Sequence, residues 1–431
     1  MFVAVFLATV ANGMSVESFV QDSIKTHPQM MVKKAELNSQ KETLKVVRAG
    51  YLPTLDLSYS VGPESTKTIA NRREEEDLTR QDASANLKWN LFHGLDTMYG
   101  MDEQKALILS AKDGLQDSAN QLAMEATKTY IDVLKNKELL SIAQENVEVH
   151  KKYLKQIKAK VDAGIGRKSD YKQTLSRLEH AKSTMILAKQ NYQNSIYSLQ
   201  RILPVAIDVN KMQQPHVGKL PATNMQELIN MAIKNNPAIL VSQDNIKAAK
   251  ASVKKSNAPY YPTADIVATS YWNKNVHGIS TSSSNPTPSQ YDEDSGYNAL
   301  LVFRYNIFNG LSDSARKEVN QQKLLKQSSI LTDSKRYIIA HTRIAYQTYM
   351  LTGEQLLHID KNIQASKETV NDYRMENELG RRSIIDLLNI ELEYNAARNR
   401  KVTTKYDNIL AYYQILSYTG KMLEEMNVII K

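Results

Sequence analysis

The chain has no cysteine. That excludes a disulfide framework, a thiolate zinc site and a cysteine nucleophile. It has only 15 glycines in 431 residues, about half the usual frequency, which favours long helices over a loop-rich fold. The eight histidines are scattered, and no H-E-x-x-H, G-x-S-x-G or phosphate loop occurs. Gly164-x-Gly166 lacks a third glycine and a preceding strand. No catalytic, cofactor or metal site is expected. The net charge of +9 could mark a nucleic-acid partner, but the basic residues are interleaved with acidic ones along helical faces, the pattern of a solvated surface. The apolar run Phe2 to Val10 is too short to span a bilayer. With the small-x-small Ala11-Asn12-Gly13 behind it, residues 1–13 read as a signal peptide cut before Met14. Its basic start is missing, and an N-terminus upstream of Met1 is one expectation. No cysteine follows the cut, so no lipid anchor is expected there.

What the chain does have is a turn written twice. Ala163-Gly164-Ile165-Gly166-Arg167-Lys168-Ser169-Asp170 and Leu379-Gly380-Arg381-Arg382-Ser383-Ile384-Ile385-Asp386 lie 216 residues apart. Glycine reaches positive φ at little cost, so Gly164 and Gly380 suit the end of a helix. Ser169 and Ser383 can cap the next helix, with Asp170 and Asp386 at the positive end of its dipole. The duplication extends further. His27-Pro28 recurs as Asn236-Pro237, 209 residues on, and Pro53 recurs as Pro262. Asn90-Leu91-Phe92-His93-Gly94-Leu95 recurs as Asn306-Ile307-Phe308-Asn309-Gly310-Leu311 at an offset of 216. Two repeats follow, 14–222 and 223–431. The first holds helices over 15–50, strands 54–62 and 83–92, and a helical hairpin over 95–203. The second holds a helix over 224–258, strands 263–272 and 297–308, and a hairpin over 311–427. A proline-punctuated linker, 204–222, joins them.

The strands are called from period two. Leu55, Leu57, Tyr59 and Val61 alternate with Thr54, Asp56, Ser58 and Ser60, and Ala85, Leu87, Trp89 and Leu91 do the same. In the second repeat the alternation runs from Tyr297 to Ile307, while the strand from Thr263 is less regular. Each run has the length needed to cross a bilayer at a tilt. Trp89 and Trp272 fall inside these windows, as interface aromatics would. The alternative is a soluble hairpin with one buried face. The loops over 62–82, with its acidic run, and 273–296 read as solvated. Leu115, Ala119, Leu122, Ala126, Tyr130 and Val133 recur at spacings of three and four, a coiled-coil seam. Leu331, Ile338, Tyr346 and Tyr349 occupy corresponding places. A helix from Leu95 to the first turn would measure on the order of 100 Å, which predicts an elongated molecule.

Four membrane strands cannot stand alone, because lipid leaves every backbone polar group without a partner unless the sheet closes. The smallest closed barrels have eight strands. Copies of the chain must therefore share one barrel. Three copies give twelve strands; two or four stay open on this argument.

The ordered motifs, from the proline-closed helix to the strand pair, the Asn-Leu/Ile-Phe-x-Gly-Leu return and the Gly-x5-Asp turn, resemble the TolC family of outer membrane channel-tunnel proteins over nearly the whole chain. The resemblance implies an α+β membrane fold: a homotrimer with a twelve-stranded β-barrel in outer membrane lipid and coiled-coil hairpins forming a periplasmic tunnel. It implies a periplasmic adaptor and an inner membrane transporter as partners. It places Gly164, Gly166 and Gly380 at the closed entrance where the adaptor docks, and Pro53, Gly94, Pro262 and Gly310 at barrel–helix junctions. By the same resemblance Asp170 pairs with Arg382 to hold the tips shut, and Asp386 lines a cation-favouring constriction. Asn389 stands where a second constriction aspartate can occur, a departure that puts strong cation selectivity in doubt. The strings Gly380 to Leu388 and Ser312 to Arg316 lean towards type I protein secretion over multidrug efflux. The rival classes are an enzyme, which lacks motifs, and a soluble helical scaffold, which leaves the interface aromatics unexplained.

Overall fold

Ser15 and Asn224, at the 209-residue offset, each start a helix by accepting a backbone N–H three residues on, from Ser18 at 3.3 Å and from Glu227 at 2.9 Å. The computed structural model describes residues 14–67, 75–205, 207–276 and 293–430. The signal-peptide reading of 1–13 and most of the two strand-joining loops lie outside them. In chain order the elements are α1 (Val16–Thr26), α2 (Pro28–Ala49), β1 (Thr54–Thr66), β2 (Glu76–His93), α3 (Asp96–Asp162), α4 (Lys168–Ile202), α5 (Met225–Asn235), α6 (Pro237–Lys255), β3 (Thr263–Lys274), β4 (Glu293–Arg304), α7 (Ser312–Glu378), α8 (Ile384–Tyr418) and α9 (Met422–Glu425). Among the described residues no helix is long and apolar enough to cross a membrane. Proline at the first position of α2 and α6 separates each from the helix before it.

Two compact units result. One comprises Glu36–Ala111 and Ser242–Leu331 and contains the sheet. Its strands run antiparallel in the order β1-β2-β3-β4, so β1 and β4 are edges. The ladder aligns Leu55 with Leu87, Leu87 with Ala268, and Ala268 with Ala299, one apolar row across all four strands. The opposite face is a row of small polar contacts: Ser58 with Ser84 at 2.7 Å, and Thr269 donating to Asn86 at 3.0 Å. Leu57 is 77% exposed and Tyr297 88%. A soluble hairpin would bury that face.

The strands outrun their sequence boundaries at one end and fall short at another. β1 and β2 continue to Thr66 and back to Glu76, where the sequence is mostly polar and no alternation signals a strand. β4 stops at Arg304, short of the expected 308, because Arg304 pairs with Thr263, the first residue of β3. Tyr305 and Ile307 lie beyond the ladder and are exposed.

The other unit comprises Lys112–Val241 and Thr332–Lys431 with the segment up to Ala35. The α3 seam from Leu115 to Val133 is buried as its spacing predicts; at the α7 positions Ile338 is buried and Leu331, Tyr346 and Tyr349 only half-buried. Among the described residues the bulkiest fully buried side chains include Tyr130, Tyr406, Tyr412 and Tyr413. The Tyr130 hydroxyl lies 2.6 Å from the Met14 carbonyl and 2.8 Å from that of Gln213, while Tyr413 donates to His216 at 2.8 Å. These bonds strap the linker onto the helices. Burial pushes the Tyr130 and Tyr413 phenols upward, and that of Tyr412 to about 12.

Candidate functional site at the hairpin tips

Both hairpins turn on the same backbone motif. Gly164 has φ 77° and Gly380 φ 73°. In the first turn Ile165 donates to Lys160 at 3.0 Å and Gly164 to Val161 at 3.0 Å; in the second Arg381 donates to Glu376 at 2.8 Å and Gly380 to Asn377 at 3.0 Å. This is the Schellman pairing, in which a left-handed residue lets two orphan carbonyls find donors. Gly166 acts differently. A Cβ there would lie 2.9 Å from the Val161 nitrogen, so the residue is small for close approach.

After the turn the copies diverge. Ser383 caps α8: its Oγ accepts from the Asp386 N–H at 3.0 Å and donates to the Asp386 carboxylate at 2.7 Å. Ser169 does not cap α4, contrary to the sequence expectation. The helix begins at Lys168, its N-cap is Arg167, and Ser169 Oγ donates to Asp170 at 3.3 Å. The cause is register: at the 216-residue offset the counterpart of Ser383 is Arg167, which has no short acceptor. Ser383→Ala is therefore expected to cost about 1 kcal/mol of stability and Ser169→Ala almost nothing. Denaturant midpoints of the two purified variants check this.

Arg382 bonds within its own turn. Its Nε donates to Glu376 at 2.8 Å and its guanidinium lies 4.1 Å from the Tyr373 ring centroid. The hydrogen bond to Glu376 raises its pKa above the usual arginine value. Among the described residues Arg382 pairs with Glu376 and not with Asp170. Asn389 accepts from Arg177 of α4 at 2.8 Å, tying the two hairpins side by side. Asp170 and Asp386 are half-buried; Ile165 between the tip glycines is exposed.

A polar cluster above the tip was not anticipated. Glu391 of α8, almost fully buried, accepts from the Tyr153 hydroxyl of α3 at 3.3 Å and from Arg374 of α7 at 3.4 Å. Asn395, one turn on, donates to Asn146 at 3.0 Å. Burial, then the Glu391 charge, raises the Tyr153 phenol. Below the cluster the contact is apolar: Ile384, Leu387 and Leu388 pack on Tyr153 and Ile157. The signal was present in sequence, since Glu391 and Asn395 fall on the stripe that Ile384 and Leu388 begin. Nearby His150 is buried, and desolvation, with Arg177 and His180 adding to it, lowers its pKa.

Gly94 and Gly310 have φ 58° and 55°, and Leu95 and Leu311 follow at 66° and 64°. Pro53 and Pro262 each immediately precede a strand. The Trp89 indole donates to the Tyr51 carbonyl at 3.0 Å. Trp272 sits opposite Ala83 and Ser295 in the ladder.

A family model described as outer membrane efflux protein matches residues 19–204 and 228–421, one match per repeat. The chain is 20% identical over 402 residues to outer membrane efflux protein BepC of Brucella suis biovar 1, covering 90% of this chain and 81% of the relative. It is 20% identical over 413 residues to alkaline protease secretion protein AprF of Pseudomonas aeruginosa, covering 93% and 83%. Among solved structures, the outer membrane channel CmeC of Campylobacter jejuni superposes with a TM-score of 0.81 at 14% identity, covering 94% of this chain and 86% of that one.

Proposed function

Because the chain belongs to the outer membrane efflux protein family, we propose that three copies close a twelve-stranded barrel and form the outer membrane exit duct of a tripartite system for type I protein secretion. The chain is an outer membrane channel protein, not an enzyme. The observation that carries the proposal is the sheet. It has an exposed apolar face, a polar face and two open edges, a combination that lipid tolerates only in a closed barrel. An adaptor from the inner membrane transporter docks at the tips around Gly164, Gly166 and Gly380. Asp170 and Arg382, unpaired with each other within a chain, meet between copies. Secretion is favoured over drug efflux by the strings Gly380 to Leu388 and Ser312 to Arg316, and AprF is named for secretion; BepC, named for efflux, supports the second reading.

The test is the mass of the detergent-purified protein by light scattering, corrected for detergent. Three protomers are expected; a monodisperse monomer ends the duct reading. At the entrance, Asp386→Asn is expected to lower cation preference, read as a reversal-potential shift in a salt gradient. An unshifted potential removes Asp386 from the constriction.

A further inference from the structure

One exposed pattern survives in both repeats beside the strands. Lys41, Lys45, Tyr51 and Pro53 recur as Lys250, Lys254, Tyr260 and Pro262 at the 209-residue offset. Each repeat therefore closes its junction helix with Lys-x3-Lys-x5-Tyr-x-Pro. The residues between change freely: Glu42 becomes Ala251, Val46 becomes Lys255 and Arg48 becomes Asn257. The proline stops the helix. The lysines and tyrosines serve no core, since all four lysines are exposed and Tyr51 and Tyr260 are 45% and 46% exposed. Two lysines at a spacing of four repel along a helix. The helix dipole favours a cation only in the last turn, which covers Lys254 but neither Lys41 nor Lys250. Among the described residues Lys41 and Lys250 have no ion pair. Lys45 has Glu42 at 2.8 Å, a partner that Ala251 withholds from Lys254.

We propose that these paired lysines form a basic collar beneath the barrel, which holds the headgroups of anionic phospholipids in the leaflet facing the periplasm. The proposal rests on the barrel proposed above.

Position supports the occupant. Lys45 and Lys254 each lie nine residues before the first strand residue, Thr54 and Thr263. The apolar face begins there with Leu55 and Leu57, 64% and 77% exposed, so the lysines stand just outside the hydrocarbon. Lys41 and Lys250 lie about 6 Å farther along the helix, a step shorter than one Debye length. Tyr51 and Tyr260 stand between lysine and strand, where amphipathic rings settle at a membrane interface. The Trp89 indole donates to the Tyr51 carbonyl, and Trp89 shares its face with Leu87, so the end of α2 meets the lipid side of the sheet. On α6, Lys247, Lys250 and Lys254 are exposed, while across the helix Ser256 is buried and Ala249 and Ser252 are half-buried. A wall of helices curving round a duct crowds small residues on its concave side and leaves long ones on its convex side. The lysines therefore look outward.

Chemistry supports it too. A lysine ammonium is a compact point charge with three donors, able to meet a phosphate oxygen from many directions. Its stem lies along apolar surface while the charge stays in water. Lys254 Nζ is 5.8 Å from the Tyr99 ring centroid, and Lys317 Nζ is 5.9 Å from that of Tyr260. Each basic residue near an anionic surface contributes about 1 kcal/mol, or about fivefold in local headgroup concentration.

The two tryptophans of the chain read the two ends of the barrel. Trp89 lies beside α2, and Trp272 lies near the other end of β3, opposite Ala83. Trp272→Phe and Trp89→Phe leave one reporter each. The full chain is reconstituted in phosphatidylethanolamine bilayers holding a minor fraction of phosphatidylglycerol, with one or the other lipid brominated on its acyl chains. Brominated phosphatidylglycerol is expected to quench Trp89 as though enriched about fivefold over its bulk fraction, and Trp272 in proportion to that fraction. Concentrated salt, and the fourfold variant Lys41→Gln, Lys45→Gln, Lys250→Gln and Lys254→Gln, are each expected to return Trp89 to the bulk value. No excess at Trp89, or an excess that survives in the variant, overturns the collar. So does an absent excess with a shifted reversal potential in the variant, which assigns the lysines to the lumen. If neither brominated lipid quenches either tryptophan, the barrel falls and the proposed function with it.

Discussion

Gly94→Ala is expected to prevent accumulation of folded protein, while Gly310→Ala yields a folded chain. Both residues end the same motif, and both have positive φ, at 58° and 55°. That conformation alone costs an alanine about 1–2 kcal/mol. The surroundings separate them. A Cβ on Gly94 would lie 2.2 Å from the Ala258 carbonyl oxygen and 2.9 Å from its Cα, so backbone must move. Ala258 opens the 3₁₀ turn ahead of β3 and is itself buried, so the strain passes directly into the strand pairing. Among the described residues, a Cβ on Gly310 would meet no atom within 4 Å beyond its chain neighbours. In the oligomer proposed above, the counterpart of Ala258 is Ala49 of a neighbouring copy, at the 209-residue offset. Any further cost at Gly310 therefore appears on assembly. Heat-resistance of the oligomer and far-UV melting of the detergent-solubilised chain separate the two effects. Equal behaviour of the two alanines in the melt would contradict the contact.

The repeat also explains what was legible in sequence. Helix starts, the left-handed glycines and the α3 seam follow from local chemistry, so Ser15, Gly164, Gly380 and Leu115 could be assigned without coordinates. Strand ends depend on partners. β2 runs through Asp77, Thr79, Arg80 and Asp82 because β1 offers backbone opposite, and β4 stops where β3 begins. Neither fact has a side-chain signature. The family resemblance pairs Arg382 with Asp170, yet Glu376 lies on the same turn and reaches it first within the chain. Ser169 resembles Ser383 in type but not in position: at the 216-residue offset the capping place belongs to Arg167, which cannot cap. Offset is the stronger guide than residue type in a duplicated chain.

Glu391→Ala is expected to lower stability by about 2–3 kcal/mol and to raise leak through the closed entrance. The carboxylate is buried on α8 and is the point where three helices meet, receiving bonds from Tyr153 of α3 and Arg374 of α7. Hydrogen bonds to a charged group are worth about 1.5–3 kcal/mol, and breaking a buried pair costs more when the remaining charge is trapped. Arg374 is not trapped, since its side chain is 44% exposed and can turn to solvent, which keeps the loss at the lower end. Glu391→Gln preserves an acceptor for the Tyr153 hydroxyl and is expected to lose about half as much. The consequence for the tip follows from position. Below Glu391 the contact of α8 with α3 is apolar, built on Ile384, Leu387 and Leu388, and such a contact slides more readily than a directed bond. Removing Glu391 lets the start of α8, with Asp386, move away from α3. Single-channel recordings should then show a higher resting conductance for Glu391→Ala than for Glu391→Gln, in the same order as their unfolding midpoints. A destabilised Glu391→Ala channel with unchanged resting conductance would leave the cluster a role in folding alone.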